Sequence, residues 1–269
     1  MKAIFLDIDG VVQYYSLQER FEHLDEITDL CKELNSTINN GFDYLAYVGG
    51  EKARKDRLDH NSEKCDIGAV YYDWNKKAVT LLKRVIDETG AVIVLSSDWR
   101  QMGYEQVSAL LDIHGFGKYL YDSTFFSRNH SRVNTPYSDH EMYDMENIAQ
   151  GVMSQICDVL RNEREGRGRV EARTAEILEY LDRHPEIDDF VAIDDIDLKE
   201  GLEDHFVKVY DSMSDEVAEK MISILNLNDG PYALPTAVDR EELETWRKQM
   251  VYDNLQLFPN VPAYRFMKN

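Results

Sequence analysis

Cysteine is scarce in this chain: three residues in 269, Cys31, Cys65 and Cys157, an odd number with no Cys-x-x-Cys pair. That excludes a disulfide framework and fits a reducing compartment, so the expected location is the cytoplasm. His23, Cys31, His60 and Cys65 match no common zinc-ligand spacing. Proline and glycine are also few, 6 and 14 residues, beside 43% hydrophobic and 11% aromatic residues. Such a composition excludes a disordered or collagen-like chain. No apolar run approaches the roughly 18–20 residues of a membrane span. The opening run is cut short by Asp7, so neither a membrane segment nor a secretory leader is expected. Positive charge is the last deficit: 30 Lys and Arg stand against 51 Asp and Glu, net −21. So negative a chain repels duplex nucleic acid and anionic membranes, which bind through Lys and Arg on phosphates. Long nucleic acid is therefore not the expected partner. A small phosphorylated substrate remains compatible, because it needs only a local positive pocket.

What the chain does contain is alternation. Apolar runs at Ala3–Leu6, Ala91–Leu95, Phe190–Ile193 and Phe206–Val209 have the character of strands, the first three buried on both faces, and Tyr119–Tyr121 is a weaker candidate. Between them lie amphipathic helices. Ala78, Val79, Leu82, Val85 and Ile86 share one stripe that Gly90 closes. Val217, Ala218, Met221, Ile222 and Leu225 share another, behind a Ser212-x-x-Asp215 capping box. Thr174 is placed to cap a helix carrying Ile177, Leu178 and Leu181, ended by His184-Pro185. Strands alternating with helices predict an α/β fold with a mostly parallel sheet.

Two stretches interrupt the pattern and are expected to be insertions. Within residues 13–74, Leu17, Phe21, Leu24, Thr28, Cys31 and Leu34 predict a helix over 17–34, followed by a polar loop from Arg54 to Asn61. Residues about 122–170 combine a polar loop from Ser127 to His140 with a helix near 143–163. The expected division is a core of 1–12 and 75–229, a cap-like insertion at 13–74, and a C-terminal helix and tail at 230–269.

The chemistry lies where the apolar runs end. The first leads into Asp7-Ile8-Asp9-Gly10, the second into Ser96-Ser97-Asp98 and the third into Asp194-Asp195. Open α/β sheets bind ligands beyond the carboxyl ends of their strands, so neighbouring strands would bring these clusters to one spot. Carboxylates about 6 Å apart repel by roughly 3 kcal/mol at an effective dielectric of about 20. Several such pairs call for protons or a cation, and oxygen-only ligands favour Mg²⁺.

These runs resemble the haloacid dehalogenase-like (HAD) phosphohydrolases. Phe5-Leu6-Asp7-Ile8-Asp9-Gly10-Val11-Val12 resembles the family's first motif, Val92-Ile93-Val94-Leu95-Ser96-Ser97 the second, and Val191-Ala192-Ile193-Asp194-Asp195 the fourth. Ser97-Asp98-Trp99-Arg100, with Arg173-Thr174-Ala175-Glu176-Ile177, is similar to a HAD subgroup associated with RNA-repair proteins. The resemblance implies a Rossmann-like three-layer fold with a small, largely helical cap. It implies a Mg²⁺-dependent phosphatase in which Asp7 attacks phosphorus and Asp9 serves as general acid and base. Asp7, Asp9 (through its main-chain carbonyl), Asp194 and Asp195 would hold the metal, while Ser96 and Ser97 would bind the phosphoryl group.

One departure stands out. The family's third motif is usually a Lys, yet none occurs between Lys118 and Lys199. Arg173 is the best substitute and Arg169 the next, although guanidinium geometry differs from a Lys point charge. Arg161, Arg164, Arg167, Arg169 and Arg173 alternate with Glu163, Glu165 and Glu171, which equally describes a solvated surface. Arg100 lies just past the second motif and could serve the site or anchor a loop. Tyr14, Tyr15, Tyr71, Tyr72 and Trp74 could stack on a nucleoside base or simply pack. The leading expectation is a phosphate-monoester phosphatase, and a narrower version acts on nucleotides or polynucleotide ends. A non-catalytic HAD-like module that binds a phosphorylated ligand or a partner is the alternative. A receiver-type phosphoacceptor fits less well, because its acceptor Asp lies on a later strand than its acidic pair.

Overall fold

The computed structural model describes residues 1–14, 18–49, 61–124, 170 and 172–227. Tyr15, Leu17, His60, Cys157, Arg161, Arg164, Arg167, Arg169, the expected helix near 143–163 and the expected C-terminal helix and tail at 230–269 lie outside the described residues. The chain divides into two compact units, Met1–Thr124 with Pro185–Tyr232 and Phe125–His184 with Ala233–Asn269.

In chain order the elements are β1 (Lys2–Leu6), α1 (Ile27–Thr37), α2 (Tyr44–Tyr47), α3 (Asn61–Gly68), α4 (Lys76–Thr89), β2 (Val92–Leu95), α5 (Tyr104–Asp112) and β3 (Leu120–Ser123). Helix α6 (172–183) belongs to the second unit. Then come β4 (Asp189–Asp194), α7 (Lys199–Leu202), β5 (Phe206–Lys208) and α8 (Asp215–Asn226). The five strands form one sheet, ordered β3-β2-β1-β4-β5, and every pair is parallel. The fold is α/β. No helix among the described residues is long and apolar enough to cross a membrane.

The continuous apolar runs become inner strands because both faces of the sheet are covered. Ala3, Ile4, Phe5 and Leu6 are all buried, as are Ile93, Val94 and Leu95. Each fully buried Val, Leu, Ile or Phe is worth about 1.5–3 kcal/mol over its exposed state. Helix α4 opens on Asn75, whose side chain accepts the Lys77 N–H at 2.9 Å, and closes on Gly90 at φ +69°. Its buried stripe of Ala78, Leu81, Leu82, Val85 and Ile86 shares the core with Ala218, Met221 and Leu225 of α8, the helix it packs against.

Several local expectations are corrected. Helix α1 starts at Ile27, not residue 17. Upstream, Phe21, Glu22, His23 and Glu26 donate their N–H to carbonyls three residues back, so the chain runs in tight turns. Phe21 of the expected stripe is 50% exposed, and the face that packs is Ile27, Leu30, Cys31 and Leu34. Ser214, not Ser212, caps α8, accepting the Val217 N–H at 3.4 Å. Ser212 instead takes an N–H of Asn75 at 2.7 Å and donates to the Val11 carbonyl. Thr174 does not cap α6, since helical residues flank it on both sides. Helix α5, with Val107, Leu110 and Leu111 buried, is an element that the apolar spacing does not predict.

Candidate active site

Register alone assembles the strand ends. Leu6 pairs with Leu95 on one side and Ile193 on the other, so Ser96 and Asp194 flank Asp7. The ladder continues one step: Asp7 N–H donates to the Ile193 carbonyl at 3.1 Å, and Ser96 N–H to Leu6 at 2.9 Å. Chain order runs outward from β1 through β2 to β3, then resumes on the other side at β4 and β5. Asp7 and Asp194 therefore end the two strands at the topological switch point, where open α/β sheets form their ligand crevice.

Asp7, Asp194 and Asp195 each offer a carboxylate oxygen, and these atoms lie within 4.8 Å of one another. Asp7 and Asp194 are buried and Asp195 is partly so. At about 5 Å each pair repels by roughly 3 kcal/mol at an effective dielectric of about 20. Three pairs then approach the whole 5–15 kcal/mol by which a domain is stable. An all-oxygen, largely buried set of three carboxyl groups without His or Cys fits a hard divalent cation, Mg²⁺ above softer metals. One oxygen of Asp194 also accepts the Ile196 N–H at 3.0 Å, which fixes its rotamer.

The loop after β1 turns sharply at Gly10, whose φ of +74° favours glycine. Val11, Val12 and Gln13 donate their N–H to the Ile8 carbonyl, and Gly10 donates to Gln13. The amides of Ile8 and Asp9 meet no acceptor among the described residues. Two successive amides of this kind suit an anionic oxygen.

Asp9 is not in the three-carboxylate group. Its Oδ2 accepts the indole N–H of Trp99 at 3.1 Å. Burial pushes the Asp9 carboxyl above its usual range; the Trp99 bond works against that, Asp98 and Asp195 add to it, and Arg20 opposes it. An upward shift is the direction that suits a general acid.

Beyond β2, the Ser96 side chain is buried and its hydroxyl has no hydrogen-bond partner among the described residues. A buried, unspent hydroxyl costs free energy unless a ligand uses it. The Ser97 hydroxyl accepts the Trp99 N–H at 3.5 Å and caps the 3₁₀ turn Asp98–Met102, a role that uses its oxygen as acceptor and not its O–H as donor. Arg100 anchors a loop. Its guanidinium donates to Thr124 Oγ1 at 2.8 Å, tying that turn to the end of β3.

Arg173 lies in the second compact unit, buried within α6. Trp74 packs, 4% exposed and stacked on His114 at 5.1 Å, while Tyr71 is 41% exposed. Two residues near Asp9 carry no signal of their role in the sequence. Trp99 is visible there only as a letter in a motif, and its bond spans ninety positions. Arg20, from the 3₁₀ turn Glu19–Phe21, belongs to no motif; its backbone N–H and guanidinium both bond the fully buried Asp73.

This geometry is joined by a family match. A family model for the HAD domain in Swiss Army Knife RNA repair proteins matches residues 3–214 of the 269. The chain belongs to this family. The match takes in all five strands and each of Asp7, Asp9, Ser96, Ser97, Arg173, Asp194 and Asp195. Searches of curated proteins and of solved structures found no match. HAD membership supports phosphohydrolase activity in general, with Mg²⁺ as the family's usual metal.

Proposed function

We propose that this chain is a Mg²⁺-dependent phosphatase that hydrolyses a phosphate monoester through an aspartyl phosphate on Asp7. The observation that carries the reading is the meeting of Asp7, Asp194 and Asp195 within 4.8 Å at the switch point. A magnesium ion held by Asp7, the Asp9 main-chain carbonyl, Asp194 and Asp195 would supply the positive charge that lets an anionic nucleophile approach an anionic ester. Asp7 attacks phosphorus with one carboxylate oxygen, the ester bond breaks, and Asp9 gives its proton to the departing oxygen. In the second half Asp9 takes a proton from the water that attacks the aspartyl phosphate, which frees phosphate and restores Asp7. Ser96 donates its unspent hydroxyl to a phosphoryl oxygen, and the Ile8 and Asp9 amides donate to others. Ser97 helps Ser96 bind the phosphoryl group through its own O–H, and its oxygen shapes the turn that carries Trp99. Arg173 is the proposed cation in place of the third-motif Lys, and residues 13–74 act as the cap over the core.

The missing Lys favours a second reading, a non-catalytic module that binds a phosphorylated ligand. Retention of Asp9 two residues after Asp7 argues for catalysis, because a binder has no need of a general acid there. Aryl-phosphate turnover with Mg²⁺ separates the two. Wild type should turn over p-nitrophenyl phosphate, and Asp7→Asn should fall to background with an unchanged circular dichroism spectrum. Activity retained in Asp7→Asn would overturn the mechanism.

A further inference from the structure

The stretch between β1 and α4 carries an aromatic surface that the chemistry above leaves unused. Phe21 is 50% exposed and Tyr71 41%, two of the five exposed large hydrophobics among the described residues. They belong to two turns that pack together, Glu19–Phe21 and the π-helical turn Ala69–Asp73. Tyr72 stacks on His23 with ring centres 4.3 Å apart and 12° between planes, and Tyr71 meets Tyr72 edge-on at 5.0 Å. The Arg20 guanidinium lies 4.7 Å over the Phe21 ring. Asp73 fixes that guanidinium, so the cation is pre-positioned rather than free to swing.

Backbone links lead from this surface to the reacting groups. Asp73 precedes Trp74, Trp74 bridges Gln13, and Gln13 bridges Asp9. The Trp74 ring lies 6.1 Å from that of Trp99, the residue bonded to Asp9. Because Asp9 protonates the departing oxygen in the proposed reaction, the leaving group sits on the Asp9 side of the site, the side to which these contacts tie the turns of Arg20, Phe21 and Tyr71.

We propose that Arg20, Phe21 and Tyr71 form a leaving-group subsite for a nucleobase, which makes the substrate a nucleoside monophosphate. The inference rests on the phosphatase reading for the direction in which the leaving group points. A base offers a π face to Phe21, to Tyr71 and to the guanidinium, whereas a sugar or glycerol phosphate offers none. Glu19, Glu22, Asp25 and Glu26 are exposed around the same turn, and their charge disfavours further phosphates of a longer strand.

Binding separates this inference from the reaction. In an Asp7→Asn background with Mg²⁺, calorimetry compares adenosine monophosphate with glycerol phosphate. The nucleotide should bind at least tenfold more tightly. Phe21→Ala and Tyr71→Ala, both at exposed positions, should each weaken nucleotide binding about five- to a hundredfold, the range of one lost base–aromatic stack. Glycerol phosphate affinity and the melting temperature should not change. Equal affinities for the two ligands, or variants that leave nucleotide affinity intact or weaken both ligands alike, would overturn the subsite. A wild type with no turnover would sink the phosphatase reading on its own, while this binding comparison would still decide the subsite.

Discussion

The Trp99 indole N–H and the Asp9 carboxyl meet at 3.1 Å, so the turn after β2 grips the acid supplied by the loop after β1. Trp99→Phe keeps most of the ring and deletes the donor. A hydrogen bond to a charged group is worth about 1.5–3 kcal/mol, and its loss favours protonated Asp9 and frees its rotamer. The turnover number should fall roughly tenfold, by the same scale, with the alkaline limb of its pH profile moved upward. Steady-state kinetics across pH checks both, and an unchanged profile would remove Trp99 from the mechanism.

Three carboxylates within 4.8 Å tie stability to the metal. Adding Mg²⁺ to a chelator-treated sample should raise the melting temperature, with about 2.7 kcal/mol gained at a hundredfold excess over the dissociation constant. Asp194→Asn removes one charge of the group while leaving an oxygen for the Ile196 N–H. It should melt higher than wild type in chelator and lose most of the Mg²⁺ response. Differential scanning fluorimetry reads both.

His114 provides a pH test away from the site. Its Nε2 lies 2.7 Å from the Val70 carbonyl, which makes it the donor, and burial lowers its pKa. The unfolded chain therefore binds the extra proton first as pH falls below about 6.5. This residue costs no stability above that pH, and below it the fold loses up to about 1.4 kcal/mol per pH unit until the folded His114 itself titrates. His114→Phe should be less stable by about 1 kcal/mol at pH 8, having lost one hydrogen bond. The deficit should shrink toward pH 5 in urea unfolding curves, and parallel curves would show that His114 does not drive the dependence.

Cys31 faces the core from α1, fully buried, and its thiol is pushed up to about 12 by burial. Thiolate is the reactive form, so iodoacetamide at pH 8 should leave this residue unmodified in the folded protein and label it in denaturant. Peptide mass spectrometry resolves it from Cys65, which is only partly buried. Rapid native labelling of Cys31 would mean that α1 opens readily.

The sheet was legible because strands covered on both faces leave unbroken apolar runs, and even Tyr119–Tyr121 marked a real strand. The acidic clusters were legible through position: each comes directly after such a run, and register does the rest. Local signals failed where tertiary contacts chose between equivalent options. Phe21 fits the α1 stripe by spacing, yet tight turns leave it exposed. Ser212 and Ser214 both suit a cap, and Asn75 claims the first. Trp99 and Arg20 act through partners 90 and 53 positions away, which no spacing rule encodes.

The strand that leads into Asp7 is the centre of the ladder, paired to a neighbour near residue 92 and to another that matches Lys2 with Asp189. Such far-flung pairings are the slowest to close in a folding chain. On the proposed mechanism, the meeting of Asp7 with Asp194 and Asp195 should be a late event of assembly, so that a refolding molecule regains helices before the proposed site.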